Sequence, residues 1–234
     1  SFAQVFRKTA WMKETPVLGR VKLNDEPGRL AALYRYQVLD TGPERPFETV
    51  VSLIEDLLET PICAVNLLDA DRQWFKARRG LDVCETAREI AFCSQAIEQA
   101  EPLIVPDAAA DPRFAENPLV RGEPRVRFYA GAPLVTPSGL PVGTLCVIDS
   151  KPKKLTKVQR RALITLADQV VGQLELRLHN HRLKQVNERR EKIFSVIAHD
   201  LRGPFNSILG FSRSLSKKAD NTSPARIADM ANSI

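Results

Sequence analysis

Histidine is scarce in these 234 residues: there are three, and none precedes His179. That absence argues against a histidine-ligated haem, or a zinc site with histidine ligands, anywhere before that point. Cysteine is nearly as sparse. The four, Cys63, Cys84, Cys93 and Cys146, form no CxxC pair, which removes the common zinc and thioredoxin-type signatures. Cys63 and Cys146 fall inside apolar, strand-like runs, where a reduced thiol acts as a small hydrophobe. Structural thiols are therefore preferred to a ligand or chromophore role. No apolar run approaches the roughly 18–20 residues that cross a bilayer, and the N-terminus carries no signal-peptide pattern.

What is present is ordinary for a globular protein: 44% hydrophobic and 26% charged residues. The length suits one sizeable core and a second, smaller unit. Net charge is +6, and between Lys151 and Lys192 there are 12 Lys and Arg against 4 Asp and Glu. A basic stripe can serve nucleic acid or an anionic membrane. Here it is spread along a helical pattern without interleaved aromatics, so a solvated helix face is preferred and no nucleic-acid partner is expected. The chain starts at Ser1 and stops inside a helical pattern at Ile234; a cytoplasmic piece of a longer protein is the expectation.

Residues 1–23 have no clear period and are read as an N-terminal extension or upstream linker. A helix with Leu30, Leu33, Tyr34 and Val38 on one stripe follows Gly28. A second, after Pro46, gathers Phe47, Val50, Val51, Ile54, Leu57 and Leu58, and Pro61 ends it. "ICAVNLLD", an acidic turn at Asp69–Asp71 and "RQWFKARRG" read as a β-hairpin; "RFYAGAPLV", "TPSGLP" and "VGTLCVID" read as another. Between them lie a short helix at "FCSQAIEQA", a brief strand at Leu103 and a loop rich in Asp, Pro and Ala. Helices flanking a mainly antiparallel sheet make this an α+β fold.

From Thr156 the helical pattern runs for some sixty residues. Leu163, Leu166, Val170 and Leu174 make one stripe; Leu183, Val186, Ile193 and Ile197 make another, out of register across Leu178–Leu183. A coiled coil with a local stutter fits both. So narrow a seam needs a partner helix, and a parallel homodimer is expected.

Within "FSVIAHDLRGPFNSILGF", Ile193, Ile197, Leu201, Pro204, Ile208, Phe211 and Leu215 cluster on one helical face. His199 lies on the opposite side, so it is not a satisfied core histidine. Asp200 follows it directly, where a carboxylate can hold the imidazole in one tautomer and leave the other nitrogen nucleophilic. Pro204 removes the amide that would bond the Asp200 carbonyl, which predicts a bend just past the histidine.

That stretch resembles the phosphoacceptor box of sensor histidine kinases of two-component systems: His, Glu or Asp, Leu, Arg, any residue, Pro. The resemblance implies that His199 is the phosphorylated histidine, Asp200 its acid/base partner, Arg202 a polar neighbour and Pro204 the kink residue. It further implies that residues 187–234 are a truncated dimerisation and phosphotransfer domain. Its first helix would run from about Asn187 to Lys217, the turn over Lys218–Pro224, and "ARIADMANSI" would open the second helix of a dimeric four-helix bundle. ATP and Mg would be bound by a separate kinase domain whose Asn and Gly-rich boxes are absent here, so this chain alone should not autophosphorylate. No cofactor is expected within it. The acceptor of the phosphoryl group would be an aspartate on a response-regulator receiver domain. Gly203 stands four residues after the histidine, where family members that also act as phosphatases usually carry Thr or Asn; this departure puts phosphatase activity in question.

Residues 24–154 are similar to GAF sensor domains, through "YRYQVLDTGPE", "FCSQAI", "DPRFAENPLV", "RFYAGAPL" and "GTLCVID". A bilin is not favoured, because no cysteine is directly followed by a histidine (Cys84 precedes Glu85 and Cys93 precedes Ser94), and no cyclic-nucleotide pattern is found. The whole then reads as a GAF domain, a signalling coiled coil over 155–186 and a phosphoacceptor hairpin. The alternative is a non-catalytic dimerisation scaffold in which His199 is never phosphorylated.

Overall fold

The computed structural model describes residues 25–218 and 224–232. The expected N-terminal extension, most of the expected turn and the side chain of Leu215 lie outside the described residues. The chain divides into two units, one ending at Leu178 and the other beginning at His179.

In the first unit, helix α1 (Glu26–Arg35) starts where the Asp25 carboxylate accepts a hydrogen bond from the Gly28 amide at 2.9 Å, with Pro27 in the first turn. Helix α2 (Arg45–Leu58) buries Phe47, Val50, Val51, Ile54 and Leu58, the side its spacing selects. It stops at Glu59, whose φ of 49° is left-handed. The hairpins are as expected: β1 (Ile62–Leu68) with β2 (Arg72–Arg79), and β5 (Phe128–Val135) with β6 (Pro141–Asp149). Short strands β3 (Glu85–Ala87) and β4 (Leu103–Val105) edge a six-stranded sheet of order β3-β2-β1-β6-β5-β4, antiparallel throughout.

The sheet is covered on both sides, and the period-two alternation decides which residue serves which side. Cys63, Val65 and Leu67 join a core with Leu33, Phe47, Ile54 and Leu58. Ala64 and Leu68 face the other way, toward α3 (Phe92–Ala96), α4 (Pro118–Arg121) and the loops around them. Asn66 is the polar residue on that second face. Register places Asn66 opposite Thr144 and Ala64 opposite Cys146, while Gly131 of β5 also pairs with Cys146. β6 must approach closely here: a Cβ on Gly143 would sit 2.1 Å from the Asn66 carbonyl oxygen.

Helix α5 (Lys157–Lys218) differs from the sequence reading in its first turns. Leu163, Ala167, Val170, Leu174 and Leu178 are buried in the same core as α1, α2 and the sheet, not in a seam with a partner helix. The boundary expected at residue 154 thus falls inside a unit that runs to Leu178. The reason is simple: a 3.6-residue period identifies an apolar face without saying what covers it.

Polar contacts hold this part of α5 at both ends. Near its start, Lys153 Nζ donates to the carbonyls of Leu58 and Glu59, Gln159 Nε2 donates to the Leu57 carbonyl at 3.2 Å, and Arg160 pairs with Glu101 at 2.6 Å. Near Leu178, the Tyr36 hydroxyl donates to Glu175, while Arg177 pairs with Glu44 and donates to the Gln37 carbonyl. Glu44 is shared with Lys76, whose fully buried amine lies 2.6 Å from it and also donates to Thr41 Oγ1 and the Gly42 carbonyl. That set of acceptors is what allows an ammonium to sit beside Phe47 and Trp74.

The second unit contains the rest of α5 and helix α6 (Pro224–Ala231). The helix continues through Pro204. Leu183, Val186, Ile193, Ile197, Leu201, Ile208 and Phe211 are all exposed. Among the described residues, no helix is long and apolar enough to cross a membrane.

Candidate functional site

His199 stands on the exposed part of α5 with its side chain 82% accessible. Its Nδ1 lies 3.2 Å from Asp200 Oδ1. With the proton on Nδ1, the ring donates to the carboxylate and the Nε2 lone pair is left free and facing solvent. Arg202 and Pro204 lie on the same exposed stretch and make no hydrogen bond to His199. The structure therefore brings the histidine and its acid together and leaves the other two as neighbours along the helix.

A second polar constellation lies on the other unit's sheet face, and the sequence reading passed it over. Asn66 of β1 donates from Nδ2 to Thr144 Oγ1 at 2.8 Å, to Cys93 Sγ at 3.2 Å and to Cys146 Sγ at 3.3 Å. The Tyr129 hydroxyl donates to Cys93 Sγ at 3.2 Å. Phe92, next to Cys93, stacks on Phe114 and on Tyr129 with ring centroids 4.3 and 5.1 Å away. All five polar residues are buried. Gly131 makes room for the phenol: a Cβ there would lie 2.1 Å from the Tyr129 hydroxyl oxygen.

This arrangement separates the thiols chemically. Burial disfavours ionisation of Cys93, but hydrogen bonds from Cys146, Thr144, Tyr129 and Asn66 outweigh it and hold its pKa below the ordinary thiol value. Cys146, which serves Cys93 as a donor and is itself buried, is pushed well above that value. Cys63 lacks so many partners: burial pushes it up to about 11, against a hydrogen bond with Thr60 and the charge of Lys153. Among the described residues, no group of three or more His, Cys, Asp or Glu is placed to hold a metal ion.

The sequence profile of the GAF domain matches residues 42–174. The chain belongs to the GAF family. It is 46% identical over 129 residues to a cyclic di-GMP phosphodiesterase of Pseudomonas aeruginosa, a match that takes in 55% of this chain and 22% of that protein. This chain thus spans well under a third of that relative. Among solved structures, the GAF domain of an Acinetobacter phosphoenolpyruvate-protein phosphotransferase superposes with a TM-score of 0.50 at 20% identity, over 69% of this chain and 97% of that one. The chromophore-binding domain of a bacteriophytochrome from R. palustris also reaches 0.50, at 14% identity over 68% and 64%. Identities this low show the fold alone.

Within the GAF domain, one sequence signal pointed to the buried constellation. Asn66 interrupts "ICAVNLL", an otherwise apolar strand buried at nearly every position. A lone amide in such a strand needs polar company. Its partners come from "FCSQA" and "GTLCVID", which only the fold brings together.

Proposed function

We propose that this chain is the sensory and phosphoacceptor portion of a histidine kinase, in which the GAF domain biases whether His199 can be phosphorylated. The observation that carries this reading is the outward imidazole with Asp200 on its Nδ1, inside the stretch His199, Asp200, Leu201, Arg202, Gly203, Pro204. Nε2 attacks the γ-phosphorus of ATP held by a separate kinase domain, in line with the departing ADP oxygen. Asp200 keeps the proton on Nδ1 and stabilises the positive charge that develops on the ring. Little covalent work is left to the protein beyond positioning and charge neutralisation. The phosphoryl group then passes to a receiver-domain aspartate.

One feature supports a dimer as the working form. The exposed apolar side chains of α5 from Leu183 to Phe211 form a face that water covers poorly, and a second copy of the same helix supplies a matching one. The relative from P. aeruginosa carries a different output, so the GAF match alone does not choose among output domains. The choice rests on residues 194–211.

The test supplies an ATP-binding kinase domain in trans with labelled ATP, and compares the wild-type chain with His199→Gln. Acid-labile, base-stable label on the wild type and none on the variant is the expected result. Absence of label on a folded dimer, with the kinase domain of the same parent protein, would overturn the reading in favour of a scaffold.

A further inference from the structure

The buried constellation on the GAF sheet is built for more than packing. Asn66 directs its amide hydrogens at Thr144 and both sulfurs, while its own Oδ1 is buried without a hydrogen-bond partner. A neutral pair of thiols would be served equally by the opposite amide orientation, in which the oxygen accepts from the S–H groups. The orphaned acceptor is the cost of aiming donors at sulfur. Tyr129 adds another donor to Cys93, and Gly131 leaves the space that lets its hydroxyl reach. Three elements far apart in sequence thus converge on one sulfur, with the second held on the same Asn66 nitrogen.

We propose that Cys93 and Cys146 are a redox pair that hydrogen peroxide converts to a disulfide joining α3 to β6. The Cys93 thiolate attacks one peroxide oxygen, the O–O bond breaks, and Cys93 becomes a sulfenic acid. The hydroxide released takes a proton and leaves as water. Cys146, giving up its proton, then attacks the sulfenic sulfur and displaces the hydroxyl group, which leaves as a second water. Two thiols and one peroxide give one disulfide and two waters, the sulfurs losing the two electrons that the peroxide gains.

The donors around Cys93 favour the thiolate, which is the reactive form. Peroxide is little larger than water. The layer over the sulfurs is a five-residue helix and the largely irregular segment 106–127, so a local opening suffices to admit it. Exposed Cys84, and buried Cys63 with Thr60 as its one side-chain hydrogen-bond partner, are internal controls. The proposal does not depend on the role of His199.

The experiment treats the reduced full chain with graded hydrogen peroxide, then unfolds it in an alkylating agent and maps the peptides by mass. The expected product is a peptide pair joining Cys93 to Cys146, two hydrogens lighter than the sum of the free thiols, with Cys63 still alkylated. Cys84→Ser keeps the product, and Tyr129→Phe forms it about tenfold more slowly at neutral pH, as loss of one donor to a thiolate raises its pKa by about one unit. Cys93 and Cys146 both fully alkylated, under peroxide that oxidises Cys84, would overturn the proposal. So would a disulfide that uses Cys84 in place of Cys146, or an unchanged rate in a folded Tyr129→Phe variant.

Discussion

The same helix behaves in two ways on the two sides of residue 178. Before it, Leu163, Val170 and Leu174 are shielded almost completely; after it, Leu183, Ile193 and Ile197 are 67%, 59% and 48% exposed. Composition does not account for the change, since both stretches carry Leu, Ile and Val at helical spacing. The difference is what stands opposite. The first stretch meets a sheet that the chain itself supplies, so its burial is part of folding. The second meets no sheet and stays exposed; in the dimer proposed above, its burial would belong to association. A stripe of leucines therefore encodes demand for a surface, and the surrounding chain decides whether that demand is met within the molecule.

The largest effect that would sharpen this contrast is expected on association. Placing aspartates at Ile197 and Leu201 together should weaken self-association by about a hundredfold or more, read by sedimentation, while leaving the first unit's unfolding transition where it is. A wild-type chain that remains monomeric at high micromolar concentration would break the comparison. Next comes Leu163→Ala, which should cost the first unit about 3 kcal/mol in denaturant unfolding, independent of protein concentration. A concentration-dependent loss there would mean that this stripe too belongs to an interface.

Smaller effects probe the interior of the first unit. Gly131→Ala should cost about 2 kcal/mol, because the new methyl must displace the Tyr129 hydroxyl; crystallography or tyrosine fluorescence would register the moved phenol. Glu26 gives the pH dependence. Its hydrogen bonds to Arg29, together with those to Arg88 and against partial burial, lower its pKa from 4.5 to about 2. A depressed carboxyl stabilises the folded state above the unfolded value, near 4.5, and that contribution fades as pH falls toward about 2. Wild type should exceed Glu26→Gln by about 1 kcal/mol at neutral pH, for a pair partly open to solvent, and the two should converge in acid. A gap that persists at low pH would assign the effect to packing.

The fold was legible to a large extent. The apolar runs "ICAVNLL" and "GTLCVID", bounded by turn residues, suffice for both hairpins, because a short apolar run between turns is a local property of its own residues. His199 and Asp200 were legible for a similar reason: adjacent residues on an exposed helix need no fold to meet. What escaped was the long-range part. Cys93 and Cys146 read as structural thiols because the donors that meet them do not show locally: Asn66 of β1 reaches both sulfurs and Tyr129 of β5 reaches Cys93 only once the fold brings these segments together. The first stripe of α5 was assigned to a partner helix for the same cause, its true partners being Leu33, Phe47 and Ile54 near the other end of the domain.

That last contact has a consequence for how the protein is made. Tyr36 holds Glu175 and Arg177 reaches Gln37 across separations of 139 and 140 residues, and the central strand β6 is the last strand to be synthesised. A nascent chain that has emerged only as far as the sheet still shows water the surface that Leu163, Val170 and Leu174 will cover. The ribosome must deliver the first half of α5 before the domain can close, so the interval before that point is when the chain has most need of a chaperone.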